Sequence, residues 1–413
     1  MSVAAATLPS PAPARRRGVP PLPLLTLVNG FNYLDRQVVY GMTPLIGDSF
    51  GLSKVQLGLL ATVNLIVFAV ASLISGPVAD RVGARKVIFA GILVWSIATI
   101  GSALSGSYHV LLFFRALVGV GEGAYGPSAN ALLCADAPPE KRGRAMGIYN
   151  VGMAIGGTLG LCLGTLLAPK IGWRNVFWIA GAPSMLLALA AAFVAAPDRI
   201  ERPTKLPAWK YLLRPTYILA LAGGITATFG ASALIFWARW LVIEVRHISE
   251  TVGSVYMLFV GLVCGVGGVV VGGYAGDRLT KRAPGGHALA IGVSMLLAVP
   301  FGTAALFMTP KIPFMALTAI TSFFLSVYNG PSAAVVDELG PPQFAATLQA
   351  VFLFGIHVLG NASAPTAVGA LADRSNLPIA LMSAIVAFGV SGVLFCVVAR
   401  RQRRESAQAH GPG

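Results

Sequence analysis

The stretch Gly76-Pro77-Val78-Ala79-Asp80-Arg81-Val82-Gly83-Ala84-Arg85-Lys86 closes one long apolar run and opens the next. Close to 200 residues later, half the chain, Gly273-Tyr274-Ala275-Gly276-Asp277-Arg278 ends another apolar run in the same way. A second pair of markers keeps that offset: Gly126-Pro127-Ser128-Ala129 returns as Gly330-Pro331-Ser332-Ala333. Each is followed by a double proline, Pro138-Pro139 and Pro341-Pro342. Markers that recur in order at nearly one offset describe two homologous halves running in parallel. Repeats of that kind place a substrate path between the halves, near the bilayer midplane.

Of the 413 residues, 56% are hydrophobic and 11% charged. A soluble domain carries about 25% charged residues, so lipid is the expected solvent. A membrane-spanning helix needs about 20 apolar residues. Runs of that kind lie at 24–47, 56–79, 86–105, 109–135, 143–168, 174–195, 216–243, 253–276, 287–308, 312–336, 344–371 and 378–399; these are predicted helices 1 to 12. The expected fold is an all-α membrane protein of twelve transmembrane helices, in two six-helix halves related by pseudo-two-fold symmetry. The halves are 24–196 and 216–399, with a tail at 1–23, a linker at 197–215 and a second tail at 400–413. The first tail has Arg15, Arg16 and Arg17 but no apolar core before a cleavage site, so helix 1 itself is expected to insert. In the linker, Trp209, Tyr211, Leu212 and Leu213 alternate with Lys210 and Arg214, which suits a short interfacial helix; an ordinary polar linker is the alternative.

The net charge of +15 sits in the tails and the even-numbered loops, for example Arg81, Arg85, Lys86, Lys141, Arg142, Arg144, Arg278, Lys281 and Arg282. That distribution is a topology signal and not a nucleic-acid patch: both termini and the even loops are expected in the cytoplasm, the chain in a bacterial inner membrane. Affinity for anionic lipid headgroups follows as a by-product. Cys134, Cys162, Cys264 and Cys396 show no ligand-like spacing and read as packing residues. Neither a metal nor a cofactor is expected, and the protein reads as a monomer.

A charge inside hydrocarbon costs about 2.5–3.5 kcal/mol on insertion scales, so each one needs a reason. Helix 1 holds Asp35 and Arg36 within Asn32-Tyr33-Leu34-Asp35-Arg36; helix 4 holds Arg115 and Glu122. Seven residues are nearly two turns, which puts Arg115 and Glu122 on one face, about 10 Å apart along the axis. Gly119, Gly121 and Gly123 flank Glu122 and permit close helix approach. A carboxyl in a poorly hydrated site holds its proton more tightly, and a nearby arginine opposes this. A movement of Arg115 between Asp35 and Glu122 would therefore decide which acid is protonated. A proton crossing the membrane supplies about 2.3 kcal/mol per 100 mV and about 1.4 kcal/mol per pH unit, enough for uphill exchange. A static salt bridge is the alternative.

The 76–86 stretch and its second copy at 272–282 resemble the loop 2–3 signature of the major facilitator superfamily. That resemblance implies a conformational latch at one face, built here from Gly76, Asp80, Arg81, Gly83 and Arg85 and, in the second half, Asp277 and Arg278. A basic turn with a solvated acid is the alternative. More narrowly, Asn32-Tyr33-Leu34-Asp35-Arg36, the segment Arg115-Ala116-Leu117-Val118-Gly119-Val120-Gly121-Glu122-Gly123, the segment 139–147, Gly172-Trp173-Arg174-Asn175-Val176-Phe177-Trp178-Ile179-Ala180-Gly181 and the run from Phe229 to Trp237 resemble the Spinster branch. Members of that branch are proton-linked carriers of lysolipids and sphingoid lipids. The resemblance implies Asp35 and Glu122 as proton sites, Arg115 as their switching partner and Arg36 as a headgroup or gate residue. One departure is Ala238-Arg239 after Trp237, where the branch is expected to carry a proline; Arg239 could pair instead with Glu244.

Further candidates for the substrate path or its gate are Asn32, Tyr125, Thr226, Phe229, Trp237, Tyr328, Asn329, His357 and Asn361. The second half holds no deep acid. A charged half facing an apolar half fits an amphiphile, headgroup to the charges and acyl chain along Phe229, Phe236, Trp237 and Phe354. His357 also reads as a hydrogen-bonded core residue. Gly152, Gly156, Gly160 and Gly164 recur every four residues in helix 5, and Gly261, Gly265, Gly268, Gly272 and Gly276 give helix 8 a similar face; both suit close packing and sliding. The expectation is therefore a proton-coupled carrier of a lipid-like solute working by alternating access. A symporter of small organic anions and a hydrophobic-drug exporter are the rivals. A receptor would need a signalling domain, and an enzyme would need a nucleophile–base pair, metal cluster or phosphate loop; the sequence has none.

Overall fold

A computed structural model describes residues 18–137, 142–195, 209–341 and 345–410. Twelve long helical segments follow the predicted runs. In the first half these are α1 Pro21–Phe50, α2 Lys54–Val82, α3 Ala84–Ala103, α4 Tyr108–Asp136, α5 Arg142–Cys162 with its continuation to Ile171, and α6 Trp173–Ala191. In the second they are α7 Pro215–Arg239, continued through Trp240–Val245; α8, running through Glu250–Thr280; α9 Gly286–Phe307; α10, running through Lys311–Asp337; α11, which includes Leu348–Arg374; and α12 Leu377–His410. Ten of them are long and apolar enough to cross a membrane; α1 and α4, which carry the buried charges, are not among the ten. The linker contributes one described helical turn, Trp209–Leu212, while 196–208 lie outside the described residues. α12 runs on to His410, so residues read as a tail from 400 continue the last helix.

Local chemistry sets the helix boundaries. Ser53 and Gln56 form a reciprocal capping box at the start of α2, with Ser53 N–H to Gln56 Oε1 at 2.9 Å. Gly83 turns the chain between α2 and α3 at φ 94°, a backbone region closed to most side chains. α5, α7, α8 and α11 each contain a π-helical segment: Leu163–Leu167, Trp240–Val245, Val260–Gly265 and Ile356–Asn361.

The packing has two-fold character. α1 packs on α5, α2 on α4 and α3 on α6; correspondingly α7 packs on α11, α8 on α10 and α9 on α12. Between the halves α2 meets α11, α5 meets α8 and α1 meets α7. Exchanging the halves turns the first of these contacts into the second and maps the third onto itself, as a two-fold axis demands. The chain ends share one face of the bundle: Val19 pairs with the segment after α6 (Val19 N–H to Phe193 O, 2.9 Å), and Thr216 at the start of α7 donates to Glu405 of α12 (2.6 Å). This is the terminal face, and the opposite one the distal face.

The glycine stripe of α5 has one purpose in this packing. A β-carbon at Gly152, Gly156, Gly160 or Gly164 would collide with the backbone oxygens of Thr26, Gly30, Leu34 and Val38 respectively, so α5 lies directly on the α1 backbone. In α8, Gly268 and Gly272 do the same against Phe323 and Val327 of α10.

The halves touch at the distal face. Asp373 of α11 accepts the backbone N–H groups of Lys54 (3.0 Å) and Val55 (3.1 Å) at the first turn of α2, and the Lys54 ammonium lies 3.8 Å from it. Deeper along the same seam Thr62 donates to Ala362 O and shares a hydrogen bond with Thr366. Tyr40 of α1 meets Phe236 of α7 edge-on, ring centroids 4.9 Å apart. One buried apolar cluster includes residues of both halves, such as Tyr40, Leu57, Phe236, Trp237 and Val368; a second, around Leu25, Trp95, Tyr125 and Leu132, belongs to the first half alone. Among the described residues, the contacts named between the halves run from the distal face into the middle of the bundle.

Candidate functional site

Asp35 and Arg36 point in different directions from α1 because adjacent helical residues are about 100° apart. Asp35 faces α3 and α4: its Oδ2 lies 3.4 Å from Arg115 Nη1, and its Oδ1 accepts from Thr99 (2.9 Å). Arg115 also donates to Ser102 Oγ (3.3 Å) and lies over the Phe177 ring at 5.0 Å. Arg36 faces the glycine-flanked segment of α4, where its Nη2 meets Glu122 Oε2 at 2.7 Å. The guanidinium is held between the rings of Tyr33 (5.1 Å) and Phe68 (4.7 Å). Gly119 and Gly123 bring α4 against the backbone of α2, and Gly121 brings it against α3, which lets Glu122 reach this position.

The sequence suggested one cation between two acids. The structure brings together two cations and two acids, paired separately: Arg115 with Asp35 and Arg36 with Glu122. All four are buried, at 0% for Asp35, 1% for Glu122, 2% for Arg115 and 9% for Arg36. Their charges sum to zero, which limits the cost of burying them. Removing any one would strand its partner, a loss of about 3–5 kcal/mol for a buried pair. Several polar atoms around the cluster lack partners among the described residues: Glu122 Oε1, Asn32 Nδ2, Arg36 Nε, Arg115 Nε and Gln37 Oε1.

Tyr125, three residues past Glu122, donates to Leu25 O (3.0 Å) and accepts from the Tyr149 hydroxyl (3.3 Å), tying α1, α4 and α5 together on the terminal side of the cluster. The second-half candidates are dispersed. Thr226 is hydrogen-bonded to carbonyls of its own helix (3.0 Å each), and Phe229 packs at the edge of the shared apolar cluster. Trp237 is fully buried beside Phe236, its indole N–H without a partner among the described residues. Tyr328 is buried, its hydroxyl without a partner among the described residues, and Asn329 is exposed. His357 lies in the α11 π segment with Nδ1 on Leu353 O (2.7 Å) and its ring 5.8 Å from Phe68 across the halves. Asn361 receives a hydrogen bond from Ser232 at its carbonyl (2.9 Å). Arg239 meets Glu244 (3.0 Å), as its position suggested, and also Glu250 (2.9 Å) at the start of α8.

On the terminal face the surroundings of Gly76 and the side chain of Asp80 lie outside the described residues, and Arg81 and Arg85 are exposed. In the second copy Asp277 bridges to α9 through His287 Nε2 (3.0 Å), and His287 Nδ1 meets Glu338 at 2.5 Å, with Gln402 of α12 on the other Glu338 oxygen (3.2 Å). Arg278 takes no part in that link and contacts the Tyr274 hydroxyl (3.3 Å). Reading the chain did not find Thr99, Ser102, Phe68, His287 or Glu338. Small hydroxyls and single aromatics inside apolar runs look like packing residues until a charge is seen to rest on them.

The profile of the Major Facilitator Superfamily matches residues 25–365. Among curated proteins, an MFS-type efflux pump of Mycolicibacterium smegmatis is 29% identical over 87% of this chain and 85% of its own length. A probable sulfoacetate transporter of Cupriavidus necator is 26% identical over 91% and 92%. The human protein spinster homolog 1 is 27% identical over 91% and 77%. The fold matches the crystal structure of a bacterial homolog of the human lysosomal transporter Spinster, in an inward-facing and occupied conformation, with a TM-score of 0.82 at 23% identity over 93% of this chain and 97% of that one.

Proposed function

The chain belongs to the major facilitator superfamily, and from that premise we propose that it is a Spinster-like, proton-coupled secondary transporter of an amphipathic, lysophospholipid- or sphingoid-type solute. The observation that carries this reading is the pair of buried ion pairs on α1 and α4, confined to one half. An acid that alternates between an arginine partner and a proton couples the two fluxes, provided protonation and the exchange of open faces are linked. Arg36 is the cation best placed to receive an anionic headgroup once Glu122 is neutral: it is the least buried of the four and already held between two rings. Acyl chains would run along Phe229, Phe236, Trp237 and Phe354. Positive charge in the even loops and tails argues for cytoplasmic termini in a bacterial inner membrane, which makes the terminal face the inner one. The Asp277–His287–Glu338 link would then act as half of the inner-face latch.

A second reading is a carrier of small organic anions, favoured by the sulfoacetate relative. It requires cations from both halves around the anion. Among the described residues, the fully buried cation of the second half is Arg239, which lies near the distal face and is held by two glutamates.

The test is reconstitution in liposomes with an internal pH dye, adding a lysophospholipid or sulfoacetate. Lipid-dependent proton flux, lost in Glu122→Gln and Asp35→Asn, supports the proposal. Flux with sulfoacetate alone transfers it to the second reading. Lipid movement without protons removes the coupling claim.

A further inference from the structure

α1 and α4 meet at two levels: the Tyr125 hydroxyl on Leu25 O, and Arg36 on Glu122. Asn32 lies between them, seven residues after Leu25 and four before Arg36, so all three side chains share the face turned to α4. Along the axis Asn32 is about 6 Å from the level of Arg36. On the face of α4 that meets Arg36 the polar side chains are Glu122 and Tyr125, while Ser128 stands about 120° around the helix from Glu122; the Tyr125 hydroxyl already both donates and accepts. Asn32 is 5% exposed, and among the described residues its amide nitrogen has no partner; Glu122 Oε1, one turn away, is a buried acceptor with none among them either.

We propose that Asn32 is the second partner of Glu122: it takes up the carboxyl in its protonated state and so releases Arg36. This inference rests on the coupling reading above and adds a positioning residue to it. A carboxylate can only accept, so it gains one hydrogen bond from a primary amide. A carboxylic acid and an amide form two, N–H to the acid carbonyl and acid O–H to the amide oxygen. The amide therefore discriminates between the two protonation states by a whole hydrogen bond, while the guanidinium discriminates the other way by charge. In the step itself, hydronium from the open face gives its proton to a Glu122 oxygen and leaves as water. The Arg36–Glu122 attraction is lost, and the acid shifts about one helical turn to Asn32. Arg36 then carries an uncompensated charge, which is the condition for holding an anionic headgroup.

The groups that bias this exchange are limited. Charged neighbours of Glu122 are Arg36 and Asp35 from α1 and Arg115 on its own helix. Tyr33 and Tyr40 from α1 and Tyr149 from α5 add hydroxyls nearby, while α2 and α3 present Phe68, Asn64 and Trp95. His357 of α11 stands on the far side of Phe68.

The experiment needs no substrate. Full-length protein in nanodiscs, native cysteines replaced, carries spin labels at Asp48→Cys and Arg374→Cys, both exposed on the distal face. The interlabel distance distribution is followed from pH 4 to 9. In the parent protein the distribution shifts with pH, and Glu122→Gln makes it pH-independent. Asn32→Leu moves the midpoint down by about one pH unit, a tenfold loss of proton affinity; Asn32→Ala, which is smaller and has neither a side-chain donor nor an acceptor, does the same. An unchanged midpoint in both variants, with only the amplitude or melting temperature altered, makes Asn32 a packing residue and overturns the inference while leaving the coupling reading intact. A parent protein without pH dependence, or one whose dependence survives Glu122→Gln, overturns both.

Discussion

Replacing Asp373 with asparagine tests whether the distal seal is held by one carboxylate. Asp373 takes the N–H groups of Lys54 and Val55 on separate oxygens, at 3.0 and 3.1 Å, and its neighbour Lys54 Nζ is 3.8 Å away. Asparagine keeps one acceptor oxygen and loses the charge. One hydrogen bond to an ionised group is worth about 1.5–3 kcal/mol, and a negative charge at a helix N-terminus about 0.3–1 kcal/mol. The side chain is 28% exposed, so water screens part of both contributions, and the looser Lys54 pair adds little. A loss of about 1.5–2 kcal/mol is the working value. Lys54 and Asp373 belong to different halves, so that loss falls on the sealed conformation and not on the folding of either half. The equilibrium between sealed and open distal face should move by about 10–30-fold toward open. Electron–electron distance measurements between labels at positions 48 and 374 would show the ratio of long- to short-distance populations growing by that factor. A distribution unchanged within about twofold would refute the assignment of the seal to Asp373.

Gly156→Val should cost more than about 3 kcal/mol, because its side chain enters the Gly30 backbone and α1 cannot retreat without breaking both ion pairs; loss of monodisperse protein in detergent would show it. Gly261→Ala is the control, since its β-carbon meets only Thr158 at 3.4 Å. Arg239→Met should lower stability by at most about 1–2 kcal/mol, because Glu244 and Glu250 are 42% and 44% exposed and return to water; faster amide exchange at 246–253 with an intact remainder is the expected signature. His287→Gln should lower the melting temperature by a few degrees and speed exchange at the start of α9, since it loosens the bridge between Asp277 and Glu338.

Much of this architecture is legible in the chain because lipid imposes a simple rule: apolar runs of helical length, divided by loops whose charges report topology. The duplicated Asp-Arg turns and Gly-Pro-Ser-Ala segments announced the two halves. Asp35, Arg115 and Glu122 stood out for the same reason, as charges where charges are costly. The pairing did not, since α1 residues 35 and 36 differ by one position in sequence yet face different helices. The departure at Arg239 was visible as a missing proline, but its second partner, Glu250, depends on how the α7 π segment folds back. The Asp373 cap on α2 is a contact across 319 residues, and nothing local marks an aspartate at the end of one helix as the cap of another.

The two long helices outside the apolar ten have a consequence for how the protein is made. α1 leaves the ribosome with Asp35 and Arg36, while Glu122, which neutralises Arg36, follows 86 residues later. At about 5–20 residues per second, the wait is on the order of 4–17 s. During that interval the first span holds charges without their final partners, and its stable residence in lipid depends on α4 arriving. Substitutions at Arg115 or Glu122 therefore strike biogenesis as well as turnover. The amount of protein in the membrane has to be measured beside the flux before either residue is assigned a transport defect.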